Sequence, residues 1–324
     1  MNFAFRVHIT KSIGLGHLKR LNILKKYIKQ NVYWIVSGDK EIIYKNIRKS
    51  KNILFIKSIK HEAKIANELF AKGLNKVVFD IANNKFLKKN LNLKIISIYK
   101  NLGYKIISYD LPNQKNLSDI SIIPYDLEKR KVIKKNRINF YGSKYYLNDN
   151  LIMNKNKNKI KIKKILITIG GSDFKNIGYE LAKILKNENF KIKLLCGLNN
   201  NKSKLSNVET IGLVQNIDKY LKWSDIVICG EGLTKYEVIY QNKPFIMIHQ
   251  FDTRSDMIKS FIKEDYCLSL GLYIKKNLKN YKRKILEYIN NNDLISKHLK
   301  KQIKIFDNIN VYKNKRKLIN LIRK

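Results

Sequence analysis

The 324-residue chain has 44% apolar residues and only three prolines, a composition that is typical of a folded protein and argues against long disordered segments. Its 67 basic residues against 25 acidic ones give a formal charge of +42, which by itself favours anionic partners. The sequence contains no run of the about 18 to 20 apolar residues that cross a bilayer and no apolar leader, so we expect a cytoplasmic protein.

The first half of the chain alternates short β-branched runs with amphipathic stretches, which predicts strands separated by helices. Helices are predicted over residues 17–30 and 62–73. Strands are predicted over residues 3–9, 32–37, 52–56, 76–80 and 105–110. Strands that alternate with helices form a parallel sheet through right-handed crossovers.

The alternation pauses at residues 151–164, which are rich in lysine and asparagine, have no apolar face and are predicted to form a linker. Strands resume over residues 165–170, 191–197, 225–230 and 245–250. We therefore predict an α/β fold of two doubly wound, Rossmann-like domains in tandem, residues 1–150 and 165–324. The carboxyl ends of both sets of strands would face a shared cleft.

A glycine-rich loop, "KSIGLGHLKR" (11–20), follows the first predicted strand and leads into the first helix. Gly14 and Gly16 permit a sharp turn and let a ligand approach the backbone, while helix amides face an anion. His17 begins the helix, whose positive end disfavours a charged imidazole and favours a neutral ring that can accept a proton. Tight turns use the same glycines, so it is His17 that carries the prediction of catalysis or substrate contact.

A second glycine-containing turn, "ITIGGSD" (167–173), follows the first strand of the second half. Gly171 and Ser172 there bring bare backbone to the carboxyl edge of the sheet, although a plain strand-to-helix turn would look the same. Asp173 is predicted to cap the helix that follows it.

The third segment, residues 225–257, is the most specific. A strand ends in a glycine-glutamate-glycine turn, and a helix follows at once with a glutamate one turn inside it. Free amides suit a diphosphate and a carboxylate suits a ribose diol, at the range that a nucleotide spans. The residues expected to contact the nucleotide are Gly232, Leu233, Thr234 and Glu237, and the next strand delivers Gln250 to the same edge.

These blocks together resemble a known family. Arg6 precedes Gly14 by eight residues, and the opening "IGLGHLKR" (13–20) is similar to that of the UDP-sugar hydrolase of pseudaminic acid biosynthesis and of the related spore-coat polysaccharide biosynthesis proteins. "ITIGGSDFKN" (167–176) resembles the start of that family's second domain, and "YGSKYYL" (141–147) resembles its interdomain Gly-x-x-Tyr segment. The 225–257 segment is also similar to the UDP-N-acetylglucosamine transferase that completes lipid II.

The resemblance implies a two-domain fold of the GT-B type that holds a UDP-sugar in its cleft and needs no cofactor or metal. UDP would lie mainly on the second domain, and the sugar would face the loop that contains His17. That histidine would take a proton from the water that attacks the anomeric carbon. The last helix would pack back onto the first domain. The implied substrate contacts are Arg6, Gly14, Gly16, Arg20, Tyr145, Gly171, Ser172, Gly232, Leu233, Thr234, Glu237 and Gln250.

Two positions depart from the family pattern. His8 stands where an acidic residue is usual, and Asp80-Ile81-Ala82 stands where Asp-His-Tyr is usual, so an aromatic hydroxyl near the sugar is missing. Three functions remain open. The leading prediction is hydrolysis of a UDP-linked deoxy-amino sugar for nonulosonic acid or surface glycan synthesis. The alternatives are a glycosyltransferase of cell-surface polysaccharide synthesis and a UDP-binding module without activity.

The composition also limits the classes of binding partner that we expect. Only nine of the basic residues are arginine and the lysines are spread along the chain, so we interpret the charge as a solvated surface without a specific nucleic-acid site. Such a surface attracts a nucleotide-sugar diphosphate and, weakly, an anionic membrane. The three separated cysteines predict reduced thiols rather than a metal site. Neither the sugar nor the oligomeric state follows from the sequence.

Several single residues carry weaker predictions. His61 and His298 lie in lysine-rich helical stretches and are predicted to be solvated. Tyr109 and Asp110 end a predicted strand of the first half and could reach the cleft. Asn83 and Asn84 could supply polar contacts in place of the missing tyrosine, and Asp252 reaches the same edge as Gln250.

Overall fold

The computed structural model describes residues 3–11, 13–28, 31–47, 52–81, 91–109, 117–125, 138–146, 161–198, 205–214, 216–250, 255–307 and 311–323. The chain divides into two compact units, Met1–Leu147 with Val311–Lys324, and Asn148–Asn310. Each unit is built on one parallel sheet with helices between the strands, which confirms the predicted fold class. Within the described ranges, no helix is both long and apolar enough to span a bilayer.

The first unit is a seven-stranded sheet with the strand order β3-β2-β1-β4-β5-β6-β7. The chain begins at β1 inside the sheet, runs outward and crosses back to β4, so the loops after β1 and β4 diverge at a topological switch point. Its elements are β1 (Phe3–Ile9), α1 (Gly16–Ile28), β2 (Val32–Gly38), α2 (Lys40–Ile47), β3 (Ile53–Phe55), α3 (Ile59–Ala71), β4 (Lys76–Asp80), α4 (Leu91–Asn101), β5 (Lys105–Tyr109), β6 (Ile120–Ile123), β7 (Ile138–Tyr141), a 3-10 helix (Ser143–Tyr145) and α11 (Val311–Arg323).

Both faces of the central strands are buried, which explains why these strands read as nearly continuous apolar runs. On one face Phe5 meets Trp34 edge to face, with ring centroids 5.3 Å apart, beneath α1, α2 and α11. On the other face Phe79 meets Tyr99 at 5.2 Å beneath α3 and α4. The two helix layers therefore fix the positions of the strand ends that carry the polar residues.

The second unit is a six-stranded sheet with the strand order β10-β9-β8-β11-β12-β13. Its first strand, β8, is again internal, and the loops after β8 and β11 form the second switch point. Its elements are β8 (Lys164–Thr168), α5 (Ile177–Leu185), β9 (Lys191–Leu195), β10 (Val208–Ile211), α6 (Asp218–Trp223), β11 (Ile226–Gly230), α7 (Thr234–Tyr240), β12 (Phe245–His249), α8 (Ser255–Lys263), β13 (Leu268–Leu272), a 3-10 helix (Lys275–Asn277), α9 (Leu278–Ile289) and α10 (Asn292–Asp307).

The prediction that His298 is solvated is wrong. This residue of α10 is only 2% exposed, and its ring lies between the Tyr288 hydroxyl (2.8 Å from Nδ1) and the Asp265 carboxylate (3.1 Å from Nε2). Burial lowers the pKa of His298, and the neighbouring carboxylate opposes that shift. The lysines in this stretch lie beside the histidine on the outer face, so the sequence around it did not reveal its burial. His61 is half-buried at the start of α3.

The last helix belongs to the first unit. Leu318 and Ile322 of α11 are fully buried in the core that also contains α1, and each buried side chain of this kind contributes about 1.5–3 kcal/mol. Lys76 Nζ donates to the carbonyl oxygen of Arg323 over 2.5 Å, and the guanidinium of Arg323 donates to the carbonyl of Ile28 over 3.0 Å. Cations thus bind the carbonyl ends of both α1 and α11, where the helix dipole is negative.

We expect Lys76→Met to lower the free energy of unfolding by about 1.5–3 kcal/mol, because the Arg323 carbonyl loses a charged donor. Urea denaturation followed by circular dichroism measures the change. Lys64→Met is the matched control, since the Lys64 side chain on α3 is 74% exposed. Equal losses in the two variants would contradict the role given to Lys76.

Candidate functional site

The loop after β1 positions His17 at the carboxyl edge of the first sheet. Gly14 has φ +80°, a left-handed conformation that favours glycine, and it turns the chain into α1 at Gly16. A Cβ added at Gly16 would meet no heavy atom within 4 Å, so packing does not explain the absence of a side chain there. Space is therefore open directly beside His17.

His17 and Arg20 lie on one face of α1, three residues apart, and both reach Asp80 at the end of β4. The Asp80 carboxylate is fully buried. Its Oδ1 lies 2.5 Å from His17 Nδ1, and Arg20 forms a two-pronged pair with it, Nε to Oδ2 at 2.9 Å and Nη2 to Oδ1 at 2.6 Å. Burial raises the pKa of Asp80, but the contacts with Arg20 and His17 outweigh it and lower that pKa below its usual value.

These distances assign the proton on the His17 ring. Nδ1 of His17 has two neighbours, Asp80 Oδ1 at 2.5 Å, which only accepts, and Arg20 Nη2 at 2.8 Å, which only donates. Because Arg20 Nη2 already donates to Asp80 Oδ1 over 2.6 Å, we assign the Nδ1 proton to the shorter contact with the carboxylate. Nδ1 of His17 is therefore the donor, and in the neutral ring Nε2 has the free lone pair. No described residue bonds to Nε2. The arrangement is that of a base whose tautomer and orientation are set by a buried carboxylate.

Aromatic side chains hold Arg20 in place. The Tyr109 ring lies 5.2 Å from the Arg20 guanidinium carbon, close enough for a cation–π interaction. Tyr109 is 1% exposed and its hydroxyl donates to the carbonyl of Tyr145 over 3.4 Å. Tyr145 packs edge to face on Phe140 with centroids 4.9 Å apart, and burial raises the pKa of its hydroxyl. Both tyrosines thus support Arg20 from within the first unit.

Arg6, which the sequence analysis expects to contact the substrate, is held by contacts within the protein. The side chain is 2% exposed and forms a two-pronged pair with Glu62 of α3, Nε to Oε1 at 2.5 Å and Nη2 to Oε2 at 2.9 Å. Its remaining nitrogen, Nη1, donates to the carbonyl of Val7 and to the hydroxyl of Ser37. Every nitrogen of the guanidinium is engaged by the protein itself, and the expected contact of Arg6 with the substrate stays a prediction.

In the second unit, the loop after β8 is held by backbone contacts that only glycine allows. A Cβ at Gly230 would lie 2.5 Å from the carbonyl oxygen of Ile169, and one at Gly197 would lie 2.8 Å from those of Gly170 and Gly171. Gly170 itself has φ +114°. The ends of β8, β9 and β11 are therefore packed backbone against backbone, which places Gly171 and Ser172 at the switch point.

Gln250 connects three strand ends. Its backbone N–H donates to Glu231 Oε2 over 3.1 Å, and its side-chain Nε2 donates to the carbonyl of Ser172 over 3.1 Å. Two polar atoms of this group have no hydrogen-bond partner among the described residues, Ser172 Oγ and Gln250 Oε1. Ser172 is 9% and Gln250 5% exposed. Buried polar atoms without partners are costly in a folded protein.

Asp173 caps the helix after this loop, as the sequence predicts. Its carboxylate accepts from the amides of Ile177 (2.8 Å) and Gly178 (2.7 Å) at the start of α5. Burial raises the pKa of Asp173, although both amide bonds oppose the shift. Because these amides already hold a carboxylate, the first turn of α5 is not open to a phosphate.

The turn after β11 contains the other predicted contacts. A Cβ at Gly232 would meet no heavy atom within 4 Å, so this glycine, like Gly16, leaves space open. Leu233 and Thr234 are partly exposed at the start of α7, whereas Glu237 is 6% exposed. Lys235 is fully buried and donates to the carbonyl of Glu231 over 2.8 Å, which holds the turn against α7.

Sequence reasoning missed the partner of His17. Asp80 was noted only as part of a departure from the family pattern, although an acidic residue at the end of the strand beside β1 was the signal that could have found it. The predictions that concern Ala82, Asn83, Asn84, Asp110 and Asp252 lie outside the described residues. Within the described part of the chain, no three His, Cys, Asp or Glu side chains gather as metal ligands would.

Comparison with known proteins agrees with this architecture. No protein-family model matches the chain. The chain is 25% identical over 290 residues to an uncharacterized protein of Methanocaldococcus jannaschii, a match that covers 78% of this chain and 56% of that protein. The chain thus spans about half the length of this relative.

Solved structures share the fold at low sequence identity. MurG of Acinetobacter baumannii has a TM-score of 0.63 at 10% identity, covering 100% of this chain and 99% of that one. The glycotransferase of kitacinnamycin has a TM-score of 0.67 at 12% identity, covering 99% and 97%. S. aureus MnaA, solved with UDP, has a TM-score of 0.59 at 12% identity, covering 97% and 98%. The fold is accordingly that of the GT-B glycosyltransferase-like proteins.

We expect Asp80→Asn to lower the free energy of unfolding by about 3–5 kcal/mol, since it leaves the buried Arg20 guanidinium without its carboxylate. Urea denaturation at neutral pH measures the loss. Glu68→Gln is the control, because the Glu68 side chain in the same unit is 48% exposed. A loss as small as that of the control would show that Asp80 does not hold this cluster together.

Proposed function

We propose that the protein is a glycosyltransferase that uses a UDP-sugar as donor. The second unit binds the UDP moiety, and His17 of the first unit acts as the base. The observation that carries the proposal is the pair of His17 with Asp80, which leaves Nε2 with a free lone pair at the switch point of the first sheet. The names of proteins with the same fold, glycosyltransferases and a protein solved with UDP, support the choice of reaction and of nucleotide.

The chemistry follows from the tautomer of His17. Nε2 takes the proton of the acceptor hydroxyl as its oxygen forms a bond to the anomeric carbon. The bond between that carbon and the diphosphate oxygen breaks, and UDP leaves with the electron pair. The imidazolium that forms is stabilised by the Asp80 carboxylate, which accepts from Nδ1 throughout. Arg20 keeps that carboxylate ionised and in place.

Features of the second unit support a nucleotide site there. Gly232 leaves open space next to the switch point, and Ser172 Oγ and Gln250 Oε1 have no hydrogen-bond partner among the described residues. In the sequence, the predicted contact Gly171 follows β8, and the predicted contacts Leu233, Thr234 and Glu237 follow β11. Because Asp173 occupies the first amides of α5, we assign the diphosphate to the turn after β11 rather than to α5.

Hydrolysis of the UDP-sugar is the second candidate. The resemblance of the opening around His17 to a UDP-sugar hydrolase favours it, and the same base could activate water. The fold relatives named for transfer favour the glycosyltransferase instead. Incubation with a UDP-sugar and no acceptor separates the two: release of UDP and free sugar at a rate that added acceptors do not raise would favour hydrolysis. For either reaction we expect the sugar to be used in the synthesis of a surface glycan.

Replacing His17 with alanine tests the base. We expect turnover to fall by about 10²–10⁴-fold while the dissociation constant for UDP changes by less than about threefold, because general-base catalysis is lost and the nucleotide contacts remain. UDP release and isothermal titration calorimetry measure the two quantities. His61→Ala, a histidine change elsewhere in the same unit, should leave both unchanged. Unaltered turnover in the His17 variant would remove the proposed base.

Replacing Gly232 with valine tests the nucleotide site. The new side chain fills space that the protein itself leaves open, so we expect UDP affinity to fall at least about tenfold, a loss of about 1.4 kcal/mol. Gly16→Ala fills the corresponding space in the first unit and should lower turnover with little effect on UDP binding. The opposite pattern, with UDP affinity sensitive to Gly16 and not to Gly232, would reverse the assignment of the two units.

A further inference from the structure

His8 is a polar residue near the end of β1 that the proposed reaction does not use. It is partly exposed, and its Nδ1 lies 2.8 Å from the hydroxyl oxygen of Ser37 at the end of β2. The same hydroxyl oxygen lies 2.9 Å from Arg6 Nη1. Arg6, Ser37 and His8 therefore form one chain of hydrogen bonds that ends at the imidazole ring.

The positions of the protons in this hydrogen-bond chain follow from which groups can only donate. A guanidinium only donates, so the Ser37 oxygen accepts from Arg6, and its own proton is available for His8 Nδ1. Nδ1 is then an acceptor, and the ring proton must be on Nε2. The reverse assignment would leave the Ser37 proton without an acceptor among the described residues.

The Arg6 end of this hydrogen-bond chain is rigid. The Arg6 guanidinium is clamped by both oxygens of Glu62, and the Tyr99 hydroxyl donates to Glu62 Oε1 over 3.1 Å. Arg6 and Glu62 are 2% and 1% exposed. The buried pair cannot turn without breaking several charged hydrogen bonds, so it holds Ser37 in the orientation that fixes the His8 tautomer.

The surroundings of His8 also keep the ring uncharged. Burial and the Arg6 cation lower the pKa of His8 to about 4, and His17 adds to the shift. Asp39 and Glu62 are the acidic groups near the ring, and they only partly oppose it. At neutral pH His8 is therefore a neutral donor whose Nε2–H has no partner among the described residues.

We propose that His8 Nε2–H donates a hydrogen bond to an oxygen on the sugar of the donor substrate, and so selects sugars that carry an acceptor there, such as an acyl carbonyl. This inference rests on the proposed UDP-sugar function. A carboxylate at this position could only accept, so histidine reverses the polarity of recognition. An uncharged donor also binds a neutral oxygen without the desolvation cost of a buried cation.

The tautomer can be measured without any substrate. The chain has five histidines, so long-range nitrogen–proton spectra of the histidine-labelled protein are simple, and His8→Gln assigns the signal of His8 by its loss. We expect His8 to carry its proton on Nε2 and to remain neutral from about pH 8 to about pH 5. Ser37→Ala should abolish the single-tautomer signature. A proton on Nδ1, or titration near the ordinary value of 6.5, would overturn the inference.

Binding then tests the contact with the sugar. Calorimetry with UDP and with UDP-N-acetylglucosamine is carried out on the wild type, His8→Phe, His8→Asp and His8→Gln. We expect the Phe and Asp variants to lose about 5–30-fold in affinity for the UDP-sugar and little for UDP, since one hydrogen bond is lost. The Gln variant keeps an N–H donor near the original position and should lose less than about threefold. His61→Gln is the matched control.

The outcomes separate this inference from the proposed function. If the wild type binds neither probe, the proposed function fails and the sugar contact fails with it. If the wild type binds both probes and the Phe variant binds UDP-N-acetylglucosamine as tightly as the wild type does, the function stands and the role of His8 is wrong. Circular dichroism melting of each variant shows whether a loss of binding is a loss of folding.

Discussion

The buried carboxylate of Asp80 is the interaction on which the first unit depends. An ionised carboxylate is stable inside a protein only where cations and N–H donors replace its water, and here Arg20 and His17 do so. Both come from one face of α1, so the pair fixes the rotation of that helix against β4. The same contact sets the tautomer of His17. The same hydrogen bonds therefore stabilise the buried carboxylate and orient the candidate base.

The second unit positions its candidate site residues mainly by close backbone packing. Its strand ends are brought together by close backbone contact at Gly197 and Gly230, and Gln250 links them through amide hydrogen bonds. Such a site offers shape and neutral polar atoms beside the buried Glu231, Lys235 and Glu237. This division suits the proposed roles, because a leaving diphosphate needs preorganised N–H and hydroxyl donors, whereas deprotonation needs an oriented base.

Sequence patterns predicted β1 to β5 of the first sheet and the four internal strands of the second sheet, and they missed β6, β7, β10 and β13. The missed strands lie at or next to the edge of a sheet and have only four or five residues, and those of β10 are half-buried or exposed. The ion pair of Arg6 could not be predicted from the sequence, since a motif records that an arginine is present and not that Glu62, 56 residues later in the chain, neutralises it.

The sequence by itself determined the alternation of strands and helices in both units, the glycine turns at the switch points and the helix that contains His17. These features depend on local patterns of apolar residues and on backbone conformations that neighbouring residues dictate. Only the tertiary structure decided which charges meet. The pairs of Asp80 with His17 and Arg20, of Glu62 with Arg6, and of Ser37 with His8 join residues far apart in the chain. The packing of helices onto the sheet selects such pairs, because every buried charge must find a partner within hydrogen-bond distance.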